Sequence, residues 1–452
     1  MEHMHLISAL AEQLSHQGEL NNRPVVAPND TYPYFALPES GFGFSGFCTE
    51  FKHQIEPRLS GSNGPRYWGF VTGGANPTAT YADWLVTSLN QNVSKGGDSA
   101  ASNIERLTLK WLAELFELPN TFDGVFTTGA TSANVLGALV ARQYAGRQSG
   151  INVALDGFYG VETKVLSATP HASMVKALGF AGFGQKQWEA IKTKSNSEAL
   201  ALDSLISNLK ALKLQNPKCV PIVIASAGTV TGTDYDDLDS IAKICREYQA
   251  WLHVDAAFGI FERLVAGPNG KTKGLEYADS ITLDCHKWLN VPYDCGVFLT
   301  KHIEILKQTC HVDAPYLANE DAEIPFMSIG IENSRRFRAL PVFATLLSYG
   351  RDGVTEQIKN NIKCAEQMAN WIRRSEGFEL AKDCLLNVVL FKPKNGSDED
   401  TRNVLKKVNQ SGKVFMTPGR WQGQSIIRAA FSNWRTTNED VEIAVRVLSE
   451  LE

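Results

Sequence analysis

The spacing of apolar positions changes twice along the chain and marks out three regions. Residues 1–80 carry little regular period beyond an amphipathic stretch at Leu6–Leu14, and are rich in Gly, Pro, Asn and aromatic residues. So aromatic and irregular a segment predicts packing against its own subunit or a partner, with Trp68, Phe70 and Trp84 as anchors. From about 81 to 345, short apolar runs alternate with helical periods. Ile104–Phe116 reads as a helix with Leu107, Trp111, Leu112 and Leu115 on one side. Gly124–Thr128 reads as a strand leading into a helix from Ser132; Lys164–Ser167, Val220–Ala225, Trp251–Asp255, Ser280–Asp284 and Gly296–Thr300 read as further strands. Leu238–Tyr248 is a helix by period, with Asp234, Asp236 and Asp237 at its positive N-terminal end. Short, continuously apolar strands alternating with helices predict an α/β domain whose mostly parallel sheet is covered on both faces. A linking helix begins around Leu340–Leu347. Beyond it, strand Leu386–Phe391, helix Asp398–Asn409, strands Lys413–Met416 and Ile426–Phe431, and helix Asn438–Leu451 predict a small α+β domain. The expected organisation is an arm over 1–80, a large domain over 81–345 and a small C-terminal domain over 346–452.

Charge and composition narrow the partners. The formal net charge is −5, with no Lys/Arg run, which argues against a nucleic-acid or anionic-membrane surface. The uncharged stretch from Gly124 to Ala141 contains Thr127, Thr128, Thr131, Ser132 and Asn134, so it reads as strand, loop and helix start instead of a membrane span. Met1-Glu2-His3-Met4-His5 lacks a basic region leading into an apolar one, so no secretion signal is expected. The eight cysteines form no CxxC pair and the nine histidines no HxxxH, so neither a metal site nor a disulfide framework is expected. A cytoplasmic protein with reduced thiols follows as the expectation.

The candidate chemistry starts at Lys287, within Asp284-Cys285-His286-Lys287-Trp288-Leu289-Asn290. Its apolar neighbours Leu283, Cys285, Trp288 and Leu289 argue against an ordinary solvated lysine. A desolvated lysine favours the free amine, which is the nucleophile. A second strand ends in His253-Val254-Asp255-Ala256-Ala257. A reactive amine and a carboxylate on two strand ends suit pyridoxal 5′-phosphate (PLP): the amine bonds the aldehyde and the carboxylate keeps the ring nitrogen protonated. Gly129-Ala130-Thr131-Ser132 lies between strand and helix, where backbone amides and two hydroxyls can hold a phosphate; alone it reads equally as a plain helix cap. His171 follows a strand and is the best-placed ring to lie over such a cofactor, and Ala257 is small enough to let the cofactor lie flat opposite. Gly41-Phe42-Gly43-Phe44-Ser45-Gly46 follows no strand and reads as a turn, not a dinucleotide site.

At these residues the chain resembles the PLP-dependent group II amino-acid decarboxylases. The resemblance rests on His253-Val254-Asp255-Ala256-Ala257, Asp284-Cys285-His286-Lys287-Trp288, Arg335-Arg336-Phe337-Arg338-Ala339-Leu340 and Ile427-Arg428-Ala429-Ala430-Phe431-Ser432-Asn433-Trp434, in that order, over roughly Pro65 to Leu448. It implies the aspartate-aminotransferase-like fold type I and a homodimer whose N-terminal arm crosses the partner. It implies decarboxylation of an L-amino acid to the amine and CO₂ through a Schiff base on Lys287 and a quinonoid carbanion. By the same resemblance Asp255 partners the pyridinium, His171 stacks on the ring, and Thr131, Ser132, His286 and Thr229 contact the cofactor. The family's proton-donating loop tyrosine has Phe326 at its counted position, with Tyr316 upstream and His311 as another proton source. A phenylalanine there is associated in relatives with an aldehyde synthase outcome, which is the alternative reaction alongside other fold-type-I lyase chemistry; a non-catalytic binding partner is the third reading. The Arg335 region and Arg428 are candidates for the substrate pocket, and Arg428 reads equally as half of a structural salt bridge.

Overall fold

The structure, a computed structural model, describes residues 2–15, 23–28, 31–34, 36–94, 96, 98–312 and 324–452. It divides into two compact units, Ala75–Lys359 on the one hand and Met1–Gly74 with Asn360–Glu452 on the other.

The larger unit is built on a seven-stranded sheet: β1 (Asp123–Thr127), β2 (Thr163–Ser167), β3 (Trp188–Ala190), β4 (Val220–Ser226), β5 (Trp251–Asp255), β6 (Ser280–Asp284) and β7 (Gly296–Thr300), in the order β1-β7-β6-β5-β4-β2-β3. From β6 to β3 every pairing is parallel, while β7 runs antiparallel to both β1 and β6. Every residue of β4 to β7 is buried, as the continuous apolar runs predict. The direction of β7 has a simple cause. The connection from β6, residues 285–295, is too short for a crossover, so the chain returns antiparallel and leaves Lys287 on the turn.

Helix α1 (Ala101–Leu115) buries Glu105, Leu109, Leu112 and Leu115. Its inward face differs from the expected one, because Leu107 is 40% exposed and Glu105 is wholly buried in its place. The reason is charge pairing: Glu105 meets the equally buried Arg335 at 2.6 Å. Helix α2 (Ala130–Gln148) starts two residues before the expected Ser132, α3 (Ala172–Phe180) starts just after His171, and α4 (Leu238–Glu247) is capped by Asp237.

The smaller unit holds an antiparallel sheet of β8 (Phe378–Lys382), β9 (Val388–Pro393), β10 (Thr417–Trp421) and β11 (Gln424–Ala430), ordered β10-β11-β9-β8. The expected strand at Lys413–Met416 lies four residues later, at Thr417–Trp421. Val414 and Met416 are buried as their apolarity demands, but the pairing falls on a segment containing Pro418 and Gly419. Proline is tolerated there because β10 is an edge strand. Trp68 is fully buried in this unit's core, its ring 4.3 Å from that of Phe431. It therefore anchors the early chain to its own subunit. Phe70 and Trp84 are 64% and 40% exposed, respectively, and Phe70 lies at the rim of the same unit with its ring 6.2 Å from that of Phe415. Among the described residues no helix is long and apolar enough to cross a membrane.

Candidate active site

Parallel strands present their carboxyl ends at one edge of a sheet, which is where open α/β sheets bind ligands. All eight residues singled out above lie at that edge: Thr131 and Ser132 after β1, His171 after β2, Thr229 after β4, Asp255 and Ala257 at the end of β5, and His286 and Lys287 after β6. Helix α2 joins them.

The first turn of α2 is tied to the lysine. Asp284 is buried; its Oδ1 accepts the Ala130 N–H at 2.5 Å and its Oδ2 lies 3.0 Å from Lys287 Nζ. The carboxylate thus sits between a helix N-terminus and the Lys287 side chain. The space for it depends on Gly296, where a Cβ would meet Gly129 Cα at 2.4 Å and Asp284 Oδ1 at 2.9 Å. The Thr131 and Ser132 N–H groups belong to the first turn of α2, which has no intrahelical partners for them. Thr131 is exposed and Ser132 half-buried, with Ser132 Oγ 2.5 Å from Thr128 Oγ1.

The second turn of α2 is tied to Asp255. Asn134 Nδ2 donates to Asp255 Oδ2 at 3.0 Å, while the Ala257 N–H donates to Oδ1 at 3.2 Å. The Ala257 carbonyl in turn accepts the Asp284 N–H at 3.0 Å, so the ends of β5 and β6 are fastened together. Asn134 also bonds Ser173 Oγ at 3.1 Å, and Ser173 Oγ lies 2.7 Å from His171 Nδ1. On its other side Asn134 Oδ1 meets His253 Nε2 at 3.0 Å. Gly137, one turn on, lets α2 lie on that imidazole: a Cβ there would meet His253 Cε1 at 2.4 Å. Burial pushes His253 down to about 4, with Asp255 pulling the other way, so the ring is neutral near pH 7.

That shift has a stability consequence. An unfolded histidine takes up a proton near 6.5 and the folded one resists until about 4, so the stability it contributes is complete above 6.5 and is lost as pH falls through that window. The expected loss is on the order of 3 kcal/mol. Urea-unfolding midpoints taken between pH 7 and 4 should fall more steeply for the wild type than for His253→Gln; equal slopes would contradict the assignment.

The remaining residues divide. His286 Nδ1 accepts the Cys295 N–H at 3.2 Å, its Nε2 lies 3.7 Å from Asp284 Oδ2, and burial lowers its basicity. Thr229 is buried; its hydroxyl donates to Glu198 and accepts the Asp234 N–H at 3.0 Å, which occupies it within the protein. Arg335 is not a pocket residue. Its guanidinium forks onto Glu105 at 2.6 and 2.9 Å with both side chains wholly buried. Phe326 is likewise not at a reaction surface: it is fully buried, with the Arg106 and Arg335 guanidinium carbons 4.7 and 4.9 Å from its ring centroid. Phe326→Tyr is therefore expected to leave the products unchanged and to destabilise the fold by about 1–3 kcal/mol, through an extra atom forced into a filled, buried site. Product analysis with a melting curve checks both. Tyr316 lies outside the described residues. His311 Nδ1 is 2.9 Å from Ser328 Oγ. Arg428 is buried on β11 of the smaller unit.

Asp284, Asn134 and Ser173 were not singled out by sequence reasoning. Asp284 stood inside a quoted motif without a role. The signal for Asn134 was its place in Ala133-Asn134-Val135-Leu136, a buried amide on an otherwise small and apolar helix face.

The seven-stranded, mostly parallel sheet and the four-stranded antiparallel sheet match the architecture of PLP-binding fold type I. The chain belongs to the pyridoxal-dependent decarboxylase family, whose conserved domain matches residues 36–394. Its cofactor is pyridoxal 5′-phosphate. The chain is 28% identical to the aromatic-L-amino-acid decarboxylase of Bacillus atrophaeus, covering 97% of this chain and 93% of that protein. It is 26% identical to the 3,4-dihydroxyphenylacetaldehyde synthase of Aedes aegypti, covering 90% of this chain and 80% of that one. The crystal structure of Oryza sativa TDC with PLP and tryptamine superposes with a TM-score of 0.90 at 22% identity, covering 99% of this chain and 97% of that one.

The residues present fit the cofactor. The donor set comprises a primary amine, a buried carboxylate and a helix N-terminus with two hydroxyls. Thr282 Oγ1, on the residue paired with Asp255 across β5 and β6, is buried with no hydrogen-bond partner among the described residues.

Proposed function

We propose that this chain decarboxylates an L-amino acid to the corresponding amine and CO₂, with PLP carried on Lys287. The observation that carries the reading is the linkage of Lys287, the start of α2 and Asp255 through Asp284 and Ala257. When bound, PLP supplies an aldehyde that condenses with primary amines and a ring that accepts the electron pair freed as CO₂ leaves. In this reading Lys287 Nζ supplies the amine, and Asp284 holds it against the sheet edge. Asp255 keeps a proton on the ring nitrogen from a buried position, where a carboxylate acts strongly because little water screens it. Thr131, Ser132 and the first amides of α2 hold the phosphate. His171 covers one face of the ring, Ala257 leaves room on the other, and His286 packs beside the lysine. The protein acts as a cytoplasmic homodimer, with the 1–80 arm, held to its own subunit at Trp68, reaching against the partner.

Similarity to both a decarboxylase and an aldehyde synthase makes the product the deciding measurement. Purified, PLP-loaded protein is incubated with a panel of L-amino acids, and CO₂, amine, ammonia and peroxide are quantified. Amine equal to CO₂ is the expected result. Ammonia and peroxide in step with CO₂, at the cost of oxygen, would assign the synthase reaction. CO₂ from no amino acid would overturn both.

A further inference from the structure

We propose that Asn134 is a positioning residue, bonded to His253, that holds Asp255 and His171 as one fixed pair. The inference rests on the PLP-dependent reading for its catalytic meaning, but its geometry does not need the cofactor.

The direction of every hydrogen bond in the network can be deduced. An ionised Asp255 only accepts, so the Asn134 atom facing it at 3.0 Å is Nδ2. Oδ1 then faces His253 Nε2 at 3.0 Å and must receive a hydrogen from it. A neutral His253 with its hydrogen on Nε2 has a bare Nδ1, which accepts from Ser280 Oγ at 2.8 Å. Ser280 Oγ in turn accepts from Trp251 Nε1, a group that can only donate, at 3.1 Å. Towards the surface, the second Asn134 amide hydrogen goes to Ser173 Oγ at 3.1 Å. The Ser173 hydroxyl, 2.7 Å away, and its N–H, 3.2 Å away, both point at His171 Nδ1. Two donors on one nitrogen place the His171 hydrogen on Nε2. The run from Trp251 to His171 is therefore polarised one way. Its interior members Trp251, Ser280, His253, Asn134 and Ser173 are all buried. A flipped Asn134 amide would set its oxygen against the Asp255 carboxylate and force the His253 hydrogen from Nε2 to Nδ1. Asp255 thus fixes which way the Asn134 amide faces, and the Asn134 oxygen in turn fixes the His253 hydrogen on Nε2.

A purely space-filling Asn134 would not control histidine protonation, and this separates the two roles. In ¹⁵N-imidazole-labelled apoprotein at pH 7, His253 and His171 are both expected neutral with the hydrogen on Nε2. Asn134→Asp puts a carboxylate on His253 Nε2, and His253 should become an imidazolium at pH 7. Ser173→Ala, near the rim, should let His171 exchange between its two neutral forms. In protein loaded with ring-¹⁵N PLP, Asn134→Leu should move the ring nitrogen signal towards the unprotonated form and lower kcat roughly 10- to 100-fold, with KM within about threefold. If His253 stays neutral in a folded Asn134→Asp protein, or His171 is unchanged in Ser173→Ala, the proposal is overturned. If Asn134→Leu fails to fold, the two apoprotein results decide. Wild-type protein that takes up no PLP would sink the proposed function alone, since the apoprotein signals report on the network without it.

Discussion

Lys287→Ala is expected to abolish turnover, by on the order of 10⁴-fold or more, and to remove the covalently held cofactor. No other described primary amine shares its setting: Nζ lies 3.0 Å from a buried Asp284 that is itself bonded to the start of α2. Alanine also strips Asp284 of its cation, so a stability loss of about 1–3 kcal/mol should accompany the loss of activity. Lys287→Arg separates the two effects. The guanidinium keeps a positive charge beside Asp284 but cannot form the covalent bond, so this variant should be inactive yet more stable than the alanine one. Borohydride treatment followed by peptide mass mapping reads the bond directly, with label on the Lys287 peptide of the wild type only. Label on another lysine, or full activity in either variant, would remove Lys287 from the reaction.

Asp255→Ala is expected to keep the cofactor on Lys287 while lowering kcat by roughly 10²–10³-fold, the size seen when one preorganised charge contact is removed. Asp255 is 9% exposed and both its oxygens are already bonded, one to Asn134 and one to Ala257. Its orientation is therefore set before any ligand arrives, and no reorganisation is needed during the reaction. Asp255→Asn should be no milder, although it is nearly the same shape. Its amide nitrogen would confront either Asn134 Nδ2 or the Ala257 N–H, and turning Asn134 would pass the conflict to His253. Steady-state kinetics with cofactor content measured by absorbance tests this. A variant at either residue type with unchanged kcat would show that Asp255 carries no charge role.

Most of the larger unit could be read from the chain because its strands are buried on both faces, and such strands must be continuously apolar. β5, β6 and β7 lie on the residues their composition marks. Reading was poorest where a local pattern was overridden by a distant partner. Glu105 lies on the inward face of α1 because Arg335, 230 positions on, meets it there. Phe326 looked like a loop residue by count, yet it lies between two guanidinium groups. β10 contains Pro418 and Gly419, which signal a turn unless the strand is known to lie at an edge.

What the sequence determined by itself is the alternating architecture, the lysine after β6, the strand-end carboxylate and the hydroxyl-bearing helix start. These depend on periodicity and on residue chemistry at short spacing, which are local properties. What only the tertiary structure decided is how these groups are held. Asp284 lies 154 positions from Ala130, and Asn134 lies 121 from Asp255. A hydrogen bond acts over about 3 Å, whatever the separation along the chain. The pairing of such groups is therefore set by how α2 packs on β5 and β6, which no local spacing encodes.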